Sequence, residues 1–276
     1  PVESVRIGGT FAVQPPANAG RYLQVEAAVR DGGAEFSARL LPVGGIHREQ
    51  PYRRLLPLEQ AAQRWLDEPV GHLEQAIPPE EKLRAALHGS AVAALFNQVQ
   101  LSHTGADISC TSLGNEPAGL AASVTMRAIT AAYLFSNTLV VLEITEEILR
   151  ALLERCASYF TLENGTPRVS DAFLAPKVEH YNYDFFAGIS YQFDLRQPVG
   201  RRLTRLSRLD GTPLGPGPLR LCTSNYRATG TGGYDALRTC PVLWRGSVEM
   251  PELVAEYVRA NSPVSLPCNG RMEAIW

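Results

Sequence analysis

A chain of 276 residues with 45% hydrophobic side chains can bury a sizeable core, in one large domain or two smaller ones. Its 26 basic and 28 acidic residues leave a formal charge of −2, which removes the usual electrostatic reason to expect a nucleic-acid polymer or an anionic membrane as partner. No apolar run reaches the roughly eighteen residues of a membrane span, and the first residues carry no basic-then-apolar export pattern.

Residues 1–45 read as short strands over 10–13, 22–29 and 36–41, separated by Pro15-Pro16, Gly20 and the turn signal Asp31-Gly32-Gly33. Residues 46–80 hold a polar helical stretch over 58–66 and end in Pro78-Pro79, which suits a linker and puts a domain boundary near residue 80. Over 80–101, Leu83, Leu87, Leu95, Phe96 and Val99 recur at helical spacing, with His88-Gly89-Ser90 as a weak point, so two helices or one kinked helix are expected.

Thr125 can cap a short helix ending at Ala132, and residues 138–144 are β-branched enough for a buried strand. Thr145 caps the clearest helix: Glu146 and Glu147 complement its dipole, and Ile148, Leu149, Leu152, Leu153 and Cys156 form one apolar stripe that reads as core. From Gly188 the period switches to two, with Ile189, Tyr191, Phe193 and Leu195 alternating with polar residues; 203–209 and 219–222 are expected to extend this strand into an antiparallel group. A loop over 213–218 and a final amphipathic helix over 250–260 complete an α+β pattern.

Chemistry-bearing clusters are sparse. The histidines (His47, His72, His88, His103 and His180) are far apart, and the cysteines (Cys110, Cys156, Cys222, Cys240 and Cys268) show no short paired spacing, so buried or free thiols are expected rather than a disulfide framework or a zinc site. No Gly-x-Ser-x-Gly elbow is present. Asp107 and Asp184 read as turn or buried aspartates, and Asn164-Gly165-Thr166 matches the glycosylation sequon.

The most informative stretch runs from Thr223 through Asn225-Tyr226-Arg227-Ala228 to the glycine loop Gly230-Thr231-Gly232-Gly233. Here an exposed aromatic follows an apolar run and precedes backbone that can approach a ligand closely. A tyrosine near a glycine-rich turn is ordinarily just a turn residue. Its company raises its interest: Asn97-Gln98-Val99-Gln100 with Gly105-Ala106-Asp107-Ile108-Ser109, then Phe135-Ser136-Asn137-Thr138, then His180-Tyr181-Asn182-Tyr183-Asp184 before Gly188-Ile189-Ser190-Tyr191.

In this order the four stretches resemble the C-terminal domain of the 5'-nucleotidase family, nearest its bacterial 2',3'-cyclic-nucleotide 2'-phosphodiesterase/3'-nucleotidase branch, over about residues 84–260. The resemblance implies a layered mixed α/β sandwich for residues 81–276, a linker over 46–80, and a C-terminal remnant of a metallophosphoesterase domain over 1–45, for which a small β domain in its own right is the alternative. It implies a nucleobase clamped between Phe135 and Tyr226, with Asn137 hydrogen-bonding the base and the loop holding Gly230 and Gly232 beside the ribose. Each stacked base is worth roughly 1–3 kcal/mol.

Two divalent metal ions are implied for the parent enzyme's catalytic domain and none for this chain, which is expected to be inactive alone; its partners would be a nucleotide or nucleoside and its own metallophosphoesterase domain, outside the cytoplasm. Two features depart from the family: Gly232 stands where the 5'-nucleotidase branch has an aspartate, and residues 111–119 lack the arginine that meets phosphate there. Arg227 is a candidate substitute, and Arg127 reads as structural or solvent-facing. A non-catalytic nucleotide-binding module and a structural or surface interaction domain remain alternative readings.

Overall fold

The computed structural model describes residues 3–16, 19–44, 49–266 and 268–276, in two compact units, Pro1–Gln60 and Ala61–Trp276. His47 and the opening of the expected linker, 46–48, lie outside the described residues.

The first unit holds two hairpins. Strand β1 (Glu3–Ile7) pairs antiparallel with β2 (Thr10–Gln14), and β3 (Arg21–Arg30) with β4 (Gly33–Pro42) around the expected Asp31-Gly32 turn. The Phe11 and Phe36 rings stack at 6.0 Å, yet no described residue of this unit is buried. Helix α1 (Glu49–Leu66) starts nine residues before the helical stretch read from the sequence, tolerates Pro57 inside it, and buries nothing.

The second unit takes in residues 61–80. Strand β5 (Pro69–His72) places Val70 in the core, followed by Leu73 and Ile77. Helices α2 (Lys82–His88) and α3 (Ala91–Thr104) are separate: Gly89 at φ 88° ends one, and the Ser90 hydroxyl accepts the Ala93 N–H to start the next. Strand β6 (Ile108–Ser112) follows, then β7 (Ser123–Thr125), which pairs with β5. Helix α4 (Met126–Ala132) is capped by Thr125, and α5 (Glu146–Ala157), after β8 (Thr138–Ile144), is capped by Thr145, both as the sequence predicts.

Strands β9 (Phe160–Glu163) and β10 (Thr166–Val169) form a hairpin whose two-residue turn is Asn164-Gly165, both at positive φ. The twist of the flanking strands favours such a turn, so the sequon's asparagine has a backbone reason to be there. Next come β11 (Asp184–Ala187) and β12 (Ile189–Asp194), divided by Gly188 at φ 89°, where a Cβ would collide with the Asp107 carbonyl oxygen. Then follow β13 (Leu203–Arg208), β14 (Leu219–Ser224), the short helix α6 (Asn225–Ala228), β15 (Val242–Glu249), α7 (Met250–Asn261) and β16 (Arg271–Ile275).

The principal sheet has the order β11-β6-β14-β8-β15, with β6 and β14 parallel and the other neighbours antiparallel. A smaller sheet runs β13-β12-β16. One sequence expectation is corrected here: β14 does not extend the β12–β13 group but lies between β6 and β8, because the loop over 213–218 carries the chain from one sheet to the other. Alternation shows how the principal sheet is covered. Ser109 of β6 donates to Asn97 Oδ1 of α3 at 2.8 Å, whereas the next residue, Cys110, points to the opposite face, and the Cys156 thiol of α5 reaches Asp184 O of β11 at 3.5 Å. Helix α3 therefore covers one face and α5 the other.

Candidate functional site

Register decides what meets at one end of the principal sheet. Asp184 at the start of β11 lies opposite Ser112 at the end of β6, and Ser224 at the end of β14 lies opposite Leu139 at the start of β8. Residues just outside those strand ends must therefore converge. Phe135 and Asn137 precede β8, Tyr181 precedes β11, Tyr226 follows β14, and with Ser112 and Lys177 they line one cavity of about 270 Å³. Larger hollows exist elsewhere, notably a polar groove of about 760 Å³ over β12, β13 and β16, but this one joins aromatic walls to a few polar atoms, the usual make-up of a small-molecule site.

Phe135 is half-buried and held edge-on by two neighbours, with ring centroids 6.4 Å from Tyr133 and 6.3 Å from Tyr181. Tyr226 is 41% exposed, in the first turn of α6, where the Ser224 hydroxyl accepts the Arg227 N–H at 3.1 Å. Asn137 is half-buried; its backbone carbonyl accepts Met250 N–H at 2.9 Å and its Nδ2 donates to the Tyr133 phenol at 3.4 Å. Burial raises that phenol's pKa to about 12 while the bond from Asn137 lowers it, so Tyr133 stays neutral. The amide oxygen of Asn137 is left without a protein partner among the described residues.

Phe135, Asn137 and Tyr226 are thus brought together, while Gly230 and Gly232 are not among the cavity's lining residues. Their places have backbone causes. Gly232, at φ 81°, lies so close to Asn182 Oδ1 and the Arg227 guanidinium that any Cβ would collide with both. Gly230, at φ 82°, closes the turn after α6, its N–H donating to Arg227 O at 2.9 Å.

Arg227 does not serve as a substitute phosphate ligand. It is 2% exposed, and Nε and Nη2 donate to the two Asp184 oxygens at 2.9 and 2.8 Å. Nη2 also reaches Tyr181 O at 2.9 Å and Nη1 reaches Thr231 O at 2.6 Å. Burial alone would lower its pKa, but the Asp184 carboxylate offsets this and the guanidinium is held charged. Its work is to tie the segment before β11 to the glycine loop. Asp184 is committed to the same pair, and Asp107 accepts the Arg220 N–H at 2.8 Å, as expected of a loop-stabilising aspartate. Arg127 pairs with Asp67 at 2.7 Å and with Gln63 at 2.7 Å, a structural role.

Two lining residues escaped the sequence reading. Tyr181 belongs to one of the stretches that carried the resemblance, but nothing in its spacing shows that its ring faces a cavity. Lys177 lies in an exposed loop without periodicity; its Nζ donates to the Tyr181 phenol at 3.2 Å, and that bond, with the Glu179 carboxylate contributing less, raises its pKa. Among the described residues no three His, Cys, Asp or Glu side chains converge to hold a metal ion, no helix is long and apolar enough to cross a membrane, and the cysteines are free, Cys110, Cys156, Cys222 and Cys240 being buried.

Comparison with known proteins adds family context to this geometry. The chain is 27% identical over 139 residues to the trifunctional nucleotide phosphoesterase protein YfkN of Bacillus subtilis, covering 46% of this chain and 9% of that protein. It is 23% identical over 258 residues to the 2',3'-cyclic-nucleotide 2'-phosphodiesterase/3'-nucleotidase of Haemophilus influenzae, covering 80% of this chain and 38% of that protein. A crystal structure of a Staphylococcus aureus protein assigned as a 5'-nucleotidase, in complex with alpha-ketoglutarate, superposes with a TM-score of 0.83 at 26% identity, over 99% of this chain and 54% of that one. The chain therefore spans well under two thirds of each relative. The profile of the family described as "5'-nucleotidase, C-terminal domain" matches residues 69–239, more than half of the sequence and the whole principal sheet up to β15. The chain belongs to the 5'-nucleotidase C-terminal domain family.

Proposed function

We propose that this chain supplies the nucleobase-holding domain of a two-domain, metal-dependent nucleotide phosphohydrolase. One observation carries the reading: Phe135, Tyr226 and Asn137, chosen from sequence as a base clamp, line a single cavity at the end of the principal sheet. A base between two aromatic walls gains stacking from either face whatever its identity, and an amide oxygen free to accept can meet an exocyclic amine on the base edge. The names of the two curated relatives support the substrate class.

The two divalent ions that the family resemblance implies would be held by the other domain of the parent enzyme. This chain's part is to grip the base, so that binding energy far from the reacting bond positions the phosphate there. The same reading places the parent protein outside the cytoplasm.

The test is an NMR titration of the 276-residue chain with adenosine, AMP, 3'-AMP and 2',3'-cyclic AMP. Two stacked contacts, less the cost of ordering, correspond to affinities of about millimolar. Tyr226→Ala is expected to weaken binding about 5- to 150-fold, from the roughly 1–3 kcal/mol of one stacking contact, while Tyr226→Phe retains most of it. Shifts that fail to saturate with any of the four ligands at several millimolar, or that survive Tyr226→Ala unchanged, would refute the clamp.

A further inference from the structure

The cavity lined by Phe135, Asn137 and Tyr226 carries one cationic side chain, Lys177. Everything else on its wall is aromatic or neutral polar: Ser112 and Tyr181 complete it. The ammonium donates to the Tyr181 phenol at 3.2 Å and lies 5.4 Å from the centre of that ring. Tyr226 lines the same cavity. Lys177 is thus exposed beside the Tyr181 hydroxyl, while Phe135 and Asn137 belong to the half-buried part of the wall.

Other cations near the site are spoken for. Arg227 is locked onto Asp184, and Arg155 donates to Gly232 O at 2.9 Å and to Ser158 Oγ at 3.0 Å. Lys177 has no carboxylate within ion-pair distance among the described residues; the Glu179 carboxylate, two residues on, attracts it more weakly and is itself engaged by the Tyr181 hydroxyl at 3.1 Å and by Asn182 Nδ2 at 2.9 Å. A lysine whose acceptor is a phenol keeps two of its three N–H donors for another acceptor. An ammonium on an exposed four-carbon stem can follow an anion over several ångströms, which suits a phosphate whose position differs between 3' and 5' esters.

We propose that Lys177 is a specificity-determining residue of this cavity, meeting the phosphate of a nucleotide whose base lies between Phe135 and Tyr226, so that the domain by itself prefers nucleoside monophosphates to nucleosides. The inference rests on the base-clamp reading. It assigns to a lysine in an aperiodic loop the anion contact for which residues 111–119 offer no arginine.

The experiment measures dissociation constants of adenosine, AMP and 3'-AMP for the full 276-residue chain and for Lys177→Gln and Lys177→Arg, at low and at about 0.5 M salt, where screening acts within a few ångströms. The readout is the ratio of the adenosine constant to the monophosphate constant. The native chain is expected to favour at least one monophosphate by about three- to tenfold at low salt, the scale of a partly exposed charge-assisted contact. The ratio should fall towards one in Lys177→Gln and at high salt, and persist in Lys177→Arg. Adenosine and both monophosphates binding the native chain equally, or a preference that survives Lys177→Gln, overturns the role of Lys177 and leaves the base clamp standing. If none of the three binds the native chain, the base-clamp reading falls and takes this inference with it.

Discussion

Arg227 and Asp184 are each 2% exposed in their side chains, and a buried pair of this kind behaves asymmetrically under substitution. Charges removed from water are tolerable only while they face each other and their remaining donors are satisfied, as Tyr181 O and Thr231 O do here. Arg227→Met strands a carboxylate in the core and is expected to cost about 3–5 kcal/mol. For a unit of this size that lowers Tm by roughly 6–20 °C. Replacing both, Arg227→Met with Asp184→Leu, removes the stranded charge and should recover most of the loss. Thermal unfolding of the two variants checks this; a single variant that melts with the native chain would show that the pair carries no stability. Tyr181 hangs from the same guanidinium through its carbonyl, so the pair also sets one wall of the cavity. The sequence reading offered Arg227 as a candidate substitute for a phosphate-contacting arginine because charge and position are visible in a sequence whereas burial of a particular guanidinium is not.

Helix α2 starts with a conflict that can be titrated. Glu81 caps it, its carboxylate accepting the Leu83 and Arg84 N–H groups at 3.0 and 2.7 Å, but the first helical residue is Lys82, a cation at the positive end of the helix dipole. Its Nζ is part-buried, with Leu113 O at 3.3 Å as its hydrogen-bond acceptor. Burial pushes the Lys82 ammonium down to about 8, with Glu80 partly opposing. Below that pH both folded and unfolded chains carry the proton and the fold bears the full cost of the buried charge. Above it the folded chain sheds the proton while the unfolded chain, whose lysine titrates only near 10.4, still holds it, so stability rises with pH up to that point. Lys82→Met should be the more stable protein at pH 7, and the gap should close by about 2 kcal/mol by pH 9.5. Denaturant unfolding of both proteins over pH 7 to 9.5 measures it; a gap independent of pH would mean that Lys82 is not desolvated. At this scale much of the fold was legible, since the Thr125 and Thr145 caps and the stripe of α5 are local signals. The neighbours of β14 were not, because a period-two pattern shows that a strand is buried and says nothing about which strands flank it. The cavity was half legible for the same reason: ordered motifs identify Phe135, Asn137 and Tyr226, whereas Tyr181 and Lys177 reach it only through the antiparallel pairing of β11 with β6 and an aperiodic loop.

At the scale of the whole molecule the core is distributed unevenly, and that has a measurable consequence. Among the described residues every buried hydrophobic side chain lies at Val70 or beyond, so the second unit closes its core with its own residues. The described residues of the first unit form two separate two-stranded sheets and part of a helix, without a buried side chain. Isolated hairpins of that kind are marginal in water, and a helix that buries nothing adds little. The unfolding free energy of the chain must then reside almost wholly in residues 61–276. A chain beginning at Ala61 keeps Gln63 and Asp67, the two partners of Arg127, and the six residues lining the cavity. Its Tm is expected within about 3 °C of the full chain, since surface losses of this sort stay near 0.5 kcal/mol. The Tyr226-dependent titration with adenosine should also survive the truncation with its affinity within about twofold, because stacking is supplied by the cavity's own walls. A shortened chain that melts more than about 10 °C lower would show that residues 1–60 contribute to the stability of the core despite burying no side chain of their own, since a loss of that size exceeds anything an exposed surface contributes.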